Sequence, residues 1–220
     1  MIRTVAIAPP RLRLAAPVLV ALLGLLAGCG GDVAAATSED CCDTEAAETK
    51  AAAVVQELEG RNLSGIPDLT LLDQDGKEHR LVTDLIKGRR VIANFVFSTC
   101  STVCPTLQTV FEGVQKRLGD RLGKDVVMLS ITVDPDNDTV ARMKAFAEDH
   151  HAKPGWYFLT GKPENVREVL YAFNAYTAKK EEHTAMFVLG NEPAGKWMYQ
   201  SGFVEPSVVV RALDLLGKEQ

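Results

Sequence analysis

The chain has 220 residues, of which 46% are hydrophobic, 24% charged and 6% aromatic, and its formal net charge is −5. This composition suits a globular α/β protein and excludes a collagen, a coiled coil and a polytopic membrane protein. The first 28 residues hold three arginines and no acid, so the charge of −5 becomes −8 without those three. Because no basic surface is available to neutralise phosphates, we expect no nucleic-acid partner.

The N-terminus has the pattern of an export signal. Basic residues precede the apolar run Leu14–Ala27, which is too short and too interrupted to predict a membrane span. The run ends in Leu26-Ala27-Gly28-Cys29, which resembles the lipobox of bacterial lipoproteins. The resemblance implies that residues 1–28 are cleaved and that a lipid on Cys29 anchors the protein on the periplasmic or extracytoplasmic face of a membrane, inner or outer. The alternative is an ordinary signal peptide cleaved nearby. Both imply export, where thiols tend to oxidise.

Residues 29–60 are rich in Ala, Glu, Asp and Thr, which predicts a solvated tether with some helix at Glu45–Glu59. Cys41 and Cys42 lie within it, and adjacent cysteines can close only a strained disulfide. Their acidic neighbours disfavour a reactive thiolate. Metal capture and no function at all both stay open for this pair.

Residues 61–220 are predicted to form one domain of alternating strands and helices. The predicted strands are Leu69–Leu72, Glu78–Leu81, Val91–Phe97, Asp125–Val133, Trp156–Leu159, Ala185–Leu189 and Trp197–Ser201. One helical turn is expected at Thr83–Ile86, and longer helices at Pro105, after Asp138-Thr139, at Pro163 and at Pro206. This order predicts a thioredoxin-like fold, with a central mixed sheet flanked by helices and an N-terminal hairpin. A nucleotide-binding fold is disfavoured because no glycine-rich phosphate motif follows a strand.

Cys100 and Cys104 lie four residues apart, between the end of a predicted strand and the start of a helix. The positive end of the helix dipole favours thiolates, so we expect lowered thiol pKa values. The spacing permits a disulfide or joint binding of one metal ion. Dithiol redox chemistry is one reading, although thioredoxins have two residues between their cysteines and this chain has three. Soft-metal binding is the other, with copper favoured over zinc if a histidine is the third ligand.

Three separated segments carry a specific resemblance: Cys100–Pro105, Val133–Thr139 and Glu182-His183-Thr184. Together they are similar to the SCO/SenC family of copper-binding, thioredoxin-fold assembly factors for the dinuclear copper site of cytochrome c oxidase. The resemblance covers about Gly60 to Leu216. It implies that Cys100 and Cys104 supply two sulfur ligands to copper, as Cu(I) or Cu(II), and that His183 supplies a nitrogen.

The chain departs from the family pattern next to the ligands but not at them. Ser101 stands where the family often has proline, and Glu182-His183-Thr184 replaces the common Asp-His-Ser. These departures leave open the redox potential of the cysteine pair and the acceptor protein. His183 also precedes an apolar strand, and in a thioredoxin fold the loop before that strand approaches the cysteine turn.

Other polar or sulfur-containing residues have weaker functional interpretations. Asp134 could tune a thiol pKa or contact a partner, or it could only form a turn. We expect His79 to be exposed on the hairpin and His150-His151 to lie at a helix C-terminus. Met186 and Met198 are interpreted as core residues rather than copper ligands.

The resemblance implies a monomeric copper metallochaperone that delivers copper to an oxidase subunit or a related cuproprotein. The alternative is a thiol–disulfide reductase that keeps the cysteines of the receiving subunit reduced, and the same two thiols could do both. A peroxiredoxin-like peroxidase is disfavoured because Ala93 and Phe97 stand where its Pro-x-x-x-Thr-x-x-Cys motif requires proline and threonine.

Overall fold

A computed structural model describes residues 65–101 and 103–217 of the chain. The strands in these ranges are β1 Thr70–Leu72, β2 Glu78–Arg80, β3 Arg90–Val96, β4 Val126–Thr132, β5 Trp156–Leu159, β6 Met186–Asn191 and β7 Lys196–Ser201. The longer helices are α1 Val103–Leu118, α2 Val140–Asp149, α3 Pro163–Ala172 and α4 Pro206–Leu215. Short helical segments are Leu81–Ile86, Gly119–Arg121, Lys180–Glu182 and Glu192–Ala194.

The main sheet is mixed, with the strand order β5-β4-β3-β6-β7. Strand β3 pairs in parallel with β4 and antiparallel with β6, while β4–β5 is parallel and β6–β7 antiparallel. β4 is buried along its whole length because helices cover both faces of the sheet. Helices α1, α2 and α4 contribute to the core on one face, and α3, the β1–β2 hairpin and Leu81–Ile86 to the core on the other.

The strand directions bring several chain segments to one edge of the sheet. The parallel strands β3 and β4 both end there, and because β6 is antiparallel to β3 it begins there. The cysteine turn follows β3, Asp134 follows β4, and His183 precedes β6. We call this end of β3 and β4, with the start of β6, the site edge.

The predicted arrangement of a mixed sheet, flanking helices and an N-terminal hairpin is confirmed. The start of α1 differs from the prediction in a way that changes the setting of Cys104. Helix α1 begins at Val103 rather than at Pro105, so Cys104 lies inside its first turn. Proline is tolerated there because the first helical N–H groups have no partner within the helix. Strand β6 also continues past the predicted end at Leu189, because Gly190 and Asn191 pair with Trp197 and Lys196.

No helix within 65–101 and 103–217 combines the length and the hydropathy of a membrane-spanning segment. The proposed leader, Cys29, the tether, and Cys41 and Cys42 lie outside the described residues, so the expectations for them stay predictions.

Candidate metal centre

The cysteine turn connects the central strand to the first helix. After β3 the chain turns at Cys100, whose N–H donates to the carbonyl of Phe97 at 3.0 Å. Four residues later, the N–H of Cys104 donates to Sγ of Cys100 at 3.4 Å. A backbone N–H in the first turn of a helix has no helical partner, and the sulfur occupies that role here. The turn therefore holds the two residues together at the site edge, as the spacing predicts.

The two thiols have unequal environments. Cys100 is partly exposed, whereas Cys104 is 2% exposed. Burial raises the pKa of the Cys104 thiol to about 12, and the neighbouring Cys100 acts in the same direction. The expectation that the helix dipole lowers the pKa of both thiols is therefore wrong for Cys104, because desolvation of the thiolate outweighs the dipole. Cys100 is the more exposed residue of the pair, and Cys104 stays protonated until a metal or a disulfide partner displaces the proton.

A buried carboxylate fastens the start of the cysteine turn. Asp138 is 1% exposed. Its carboxylate accepts hydrogen bonds from the N–H and the hydroxyl of Ser98, and from the hydroxyl of Thr132 at 2.6 Å. Ser98 lies two residues before Cys100, and Thr132 ends β4. The sequence suggests Asp138-Thr139 only as a helix cap. Thr139 does cap α2 by accepting from the N–H of Arg142, whereas Asp138 holds the cysteine turn against β4.

His183 lies at the site edge, between the turn Lys180–Glu182 and β6. Its ring is 7% exposed and meets the ring of Phe95, a residue of β3, edge-on at 6.3 Å between centroids. Neither ring nitrogen has a hydrogen-bond partner within the described part of the chain. Burial lowers the pKa of His183, which keeps the imidazole neutral at pH 7. A neutral, buried imidazole without a partner fits a metal ligand, because unsatisfied buried polar atoms are costly and a metal ion would satisfy one of them.

The three predicted ligands share an edge but do not form a closed site. Among residues 65–101 and 103–217, no group of three or more His, Cys, Asp or Glu side chains lies close enough together to hold one metal ion. The structure brings Cys100 and Cys104 into contact and leaves His183 as a separate buried donor on the same edge. Joint ligation by all three therefore stays a prediction.

Asp134 is bound by a lysine from the turn that carries His183. Its Oδ2 accepts from Nζ of Lys180 at 2.5 Å, and its Oδ1 accepts from the side-chain amide of Asn137 at 2.8 Å. Burial acts to raise the pKa of Asp134, but the hydrogen bonds from Lys180 and Asn137 outweigh burial and lower it. Asp134 is therefore an ionised carboxylate that joins the end of β4 to the His183 turn.

This arrangement agrees with a match found among known protein families. A family model described as SCO1/SenC matches residues 59–206, which include the cysteine turn, Asp134, Asp138 and His183. The chain belongs to the SCO1/SenC family. The resemblance drawn from three short segments is thereby confirmed across most of the described domain.

Two curated members of the family illustrate the similarity. The SCO1 protein homolog of Bacillus subtilis is 34% identical over 119 residues, which cover 53% of this chain and 60% of that protein. The mitochondrial SCO1 homolog 1 of Arabidopsis thaliana is 29% identical over 120 residues, covering 54% of this chain and 35% of that protein. The chain thus spans less than two thirds of the length of either relative.

Solved SCO family structures share the fold. A SCO1/SenC family lipoprotein from Bacillus anthracis is 28% identical, with a TM-score of 0.58 over 68% of this chain and 93% of that one. BsSco, a member of the Sco family of cytochrome c oxidase assembly proteins with a disulfide switch, is 30% identical. Its TM-score is 0.56 over 68% of this chain and 90% of that one. Bradyrhizobium japonicum ScoI with copper bound is 27% identical, with a TM-score of 0.52 over 66% of this chain and 92% of that one. The predicted thioredoxin-like fold is confirmed.

Some of the secondary candidates in this SCO1/SenC chain have structural roles. His79 is 6% exposed, so the expectation of an exposed residue is wrong: its Nε2 lies 2.8 Å from the Asp73 carboxylate and its ring meets Tyr157 edge-on. His150 caps the C-terminus of α2, where the sequence predicts it to lie, and its Nδ1 lies 2.9 Å from the Glu112 carboxylate.

The two candidate methionines pack in the hydrophobic core. Met198 is buried, and Met186 is partly buried against the core cluster that includes Phe95. Their interpretation as core residues agrees with this packing.

Proposed function

We propose that the protein is an exported copper metallochaperone that holds copper through Cys100, Cys104 and His183. The observation that carries the proposal is the buried, neutral imidazole of His183, whose two unpartnered ring nitrogens lie on the same edge as a paired-cysteine turn. Two sulfurs and one imidazole nitrogen suit copper, since soft thiolates favour Cu(I) and imidazole also accommodates Cu(II). Structural zinc sites usually require four ligands.

The unequal thiols suggest an order of ligand exchange. Cys100 is partly exposed and would meet the incoming or outgoing metal first, while Cys104 and His183 are buried. Binding copper displaces the Cys104 proton into solvent, because the thiolate is the form that ligates a metal. Transfer to a recipient would then begin with replacement of Cys100 by a ligand of the recipient protein.

The nature of the recipient is proposed from the family. BsSco is described as belonging to cytochrome c oxidase assembly proteins, and B. japonicum ScoI was solved with copper bound. We propose that this chain delivers copper to a copper-receiving oxidase subunit or a related cuproprotein. We propose further that a lipid on Cys29 holds it on the extracytoplasmic face of a membrane, as the lipoprotein of B. anthracis suggests.

The experiment is a copper titration of residues 29–220 in which Cys29, Cys41 and Cys42 are each changed to serine, so that Cys100 and Cys104 are the thiols available. The reduced protein should bind one copper ion tightly. His183→Ala should weaken binding, and zinc should bind less tightly than copper. Stoichiometric binding that ignores His183 and is matched by zinc would contradict the proposal.

A second candidate is a thiol–disulfide reductase, which the accessible Cys100 next to the buried Cys104 favours. Such a pair can attack a substrate disulfide through Cys100 and resolve the mixed disulfide through Cys104, which becomes oxidised with Cys100 as the substrate is reduced. This account predicts rapid reduction of insulin disulfides by the reduced, metal-free protein. Slow reduction together with tight copper binding would favour the metallochaperone.

A further inference from the structure

Lys180 contacts three segments of the site edge. Its ammonium binds the Asp134 carboxylate, which follows β4. The same nitrogen lies 5.5 Å from the centroid of the Phe97 ring, which begins the cysteine turn. The carbonyl of Lys180 accepts the N–H of His183 at 3.1 Å. One residue therefore links the end of β4, the cysteine turn and the histidine.

The acceptor of this ion pair is itself held in place. The N–H of Asp134 donates to the hydroxyl of Thr132 at 2.9 Å, and its carbonyl accepts the N–H groups of Asn137 and Asp138. The Asp134 side chain is 11% exposed and that of Lys180 is 28% exposed, so water only partly screens their attraction. The lysine thus docks on a rigid carboxylate.

The His183 side chain has no polar contact of its own to orient it within the described chain. Its ring packs against Phe95, and neither nitrogen is hydrogen-bonded. The position of the ring therefore depends on the backbone of the turn Lys180–Glu182, and the Lys180 side chain ties this turn to the rest of the site edge.

We infer that Lys180, through Asp134, is a positioning residue that holds the His183 turn against the site edge for ligation. This inference rests on the proposed function, because it concerns the third ligand of the same site. Lys180 does not itself touch the metal. Loss of the Lys180–Asp134 ion pair should leave Cys100 and Cys104 in place and should make the His183 ring more mobile and more accessible to solvent.

The first test uses the reduced, metal-free protein and the rate at which diethyl pyrocarbonate modifies its histidines, followed by mass spectrometry. In Lys180→Met the rate at His183 should rise by about two- to fivefold, the range expected for a partly exposed ion pair. His79 is also buried, but its ring contacts Asp73 and Tyr157 rather than the Lys180–Asp134 pair, so its rate should not change. An unchanged rate at His183, or an equal rise at both histidines, would overturn the inference.

Matched variants distinguish the loss of the Lys180–Asp134 ion pair from the loss of an ion pair elsewhere in the protein. Asp134→Asn should reproduce the effect of Lys180→Met, and Lys180→Arg should restore the wild-type rate. Lys144→Met removes a lysine–aspartate pair of 3.0 Å between α2 and the hairpin turn, which includes neither Lys180 nor Asp134, and should leave His183 unaffected. An equal effect of Lys144→Met would overturn the inference.

The second test measures copper release by competition with a chelator. Lys180→Met should release copper about two- to fivefold faster than wild type, and it should add nothing in a His183→Ala background. A wild-type protein that binds no copper would refute the proposed function, while the metal-free labelling would still decide whether Lys180 positions His183. Faster release in both backgrounds would overturn the positioning role and leave the proposed function standing.

Discussion

The carboxylate of Asp138 holds Ser98, which lies 40 residues earlier in the chain and two residues before Cys100. It accepts from both the N–H and the hydroxyl of Ser98, and it also accepts the hydroxyl of Thr132. The cysteine turn is therefore fixed at its start by a buried carboxylate. Removing the carboxylate would leave the fully buried hydroxyl of Thr132 and the partly buried donors of Ser98 without this acceptor.

Replacing Asp138 by alanine should lower the free energy of unfolding by about 3 kcal/mol, since the buried Thr132 hydroxyl and two partly buried donors of Ser98 lose their acceptor. Urea unfolding of the metal-free, reduced protein measures this. Asp136→Ala provides the control, because Asp136 is an exposed carboxylate of the same loop and its loss should change stability by less than about 0.5 kcal/mol. Equal effects of the two substitutions would contradict the role given to Asp138.

The sequence predicts what depends on local pattern. The apolar run Val91–Phe97 predicts a buried central strand because both faces of the sheet are covered, and the strand–turn–helix spacing predicts that Cys100 and Cys104 come together. Pro163 and Thr139 mark helix starts correctly because a proline near a helix start and a capping hydroxyl act within one turn of the chain.

The sequence does not predict what depends on tertiary contacts. Asp138 has the sequence position of a helix-capping residue, and its hydrogen-bond partner Ser98 is revealed only by the fold. His79 lies in a polar hairpin, yet packing against Tyr157 buries it. The dipole argument for Cys104 considers only the helix, whereas the pKa depends on how much water the surrounding side chains exclude.

His183 should make stability depend on pH in a definite direction. Burial lowers its folded-state pKa, so the unfolded chain binds the proton first as the pH falls. Its contribution is therefore fully present above about pH 6.5, the unfolded value, and is lost on acidification, by at most about 1.4 kcal/mol per pH unit. Urea unfolding of the metal-free protein between pH 8 and pH 5 measures this. His183→Leu should flatten that part of the profile.

The control for His183 is an exposed histidine. His151→Asn replaces a side chain at the surface, and asparagine tolerates the positive φ of 52° at that position. The decline in stability on acidification should persist in His151→Asn. A profile that changes equally in both variants would contradict the assignment of the effect to His183.

Cys100 should react with an alkylating reagent well before Cys104. With a pKa of about 12, Cys104 has a thiolate fraction of about one in ten thousand at pH 8, and its side chain is buried as well. Iodoacetamide labelling followed by peptide mapping, in the chain lacking the other three cysteines, measures the two rates. In urea the rates should converge, because unfolding removes the burial. Equal rates in the folded protein would contradict the asymmetry.

Gly190 should tolerate no side chain, because it pairs directly with Trp197 across β6 and β7. A Cβ at this position would lie 2.2 Å from the Trp197 ring, which is itself 7% exposed. Gly190→Ala should therefore lower the free energy of unfolding by about 1–3 kcal/mol through overpacking. An unchanged free energy of unfolding in Gly190→Ala would contradict the clash.

Copper binding should release protons, since Cys104 is a thiol in the metal-free protein and must ligate as a thiolate. At pH 7.5 we expect at least one proton per copper ion, measured by titration in two buffers of different ionisation enthalpy. Affinity should consequently fall as the pH falls, because protons compete with the metal for sulfur. In Cys104→Ser the proton count should drop by one, whereas His183→Ala should leave it unchanged because the imidazole is already neutral. An unchanged count in Cys104→Ser would contradict ligation by that sulfur.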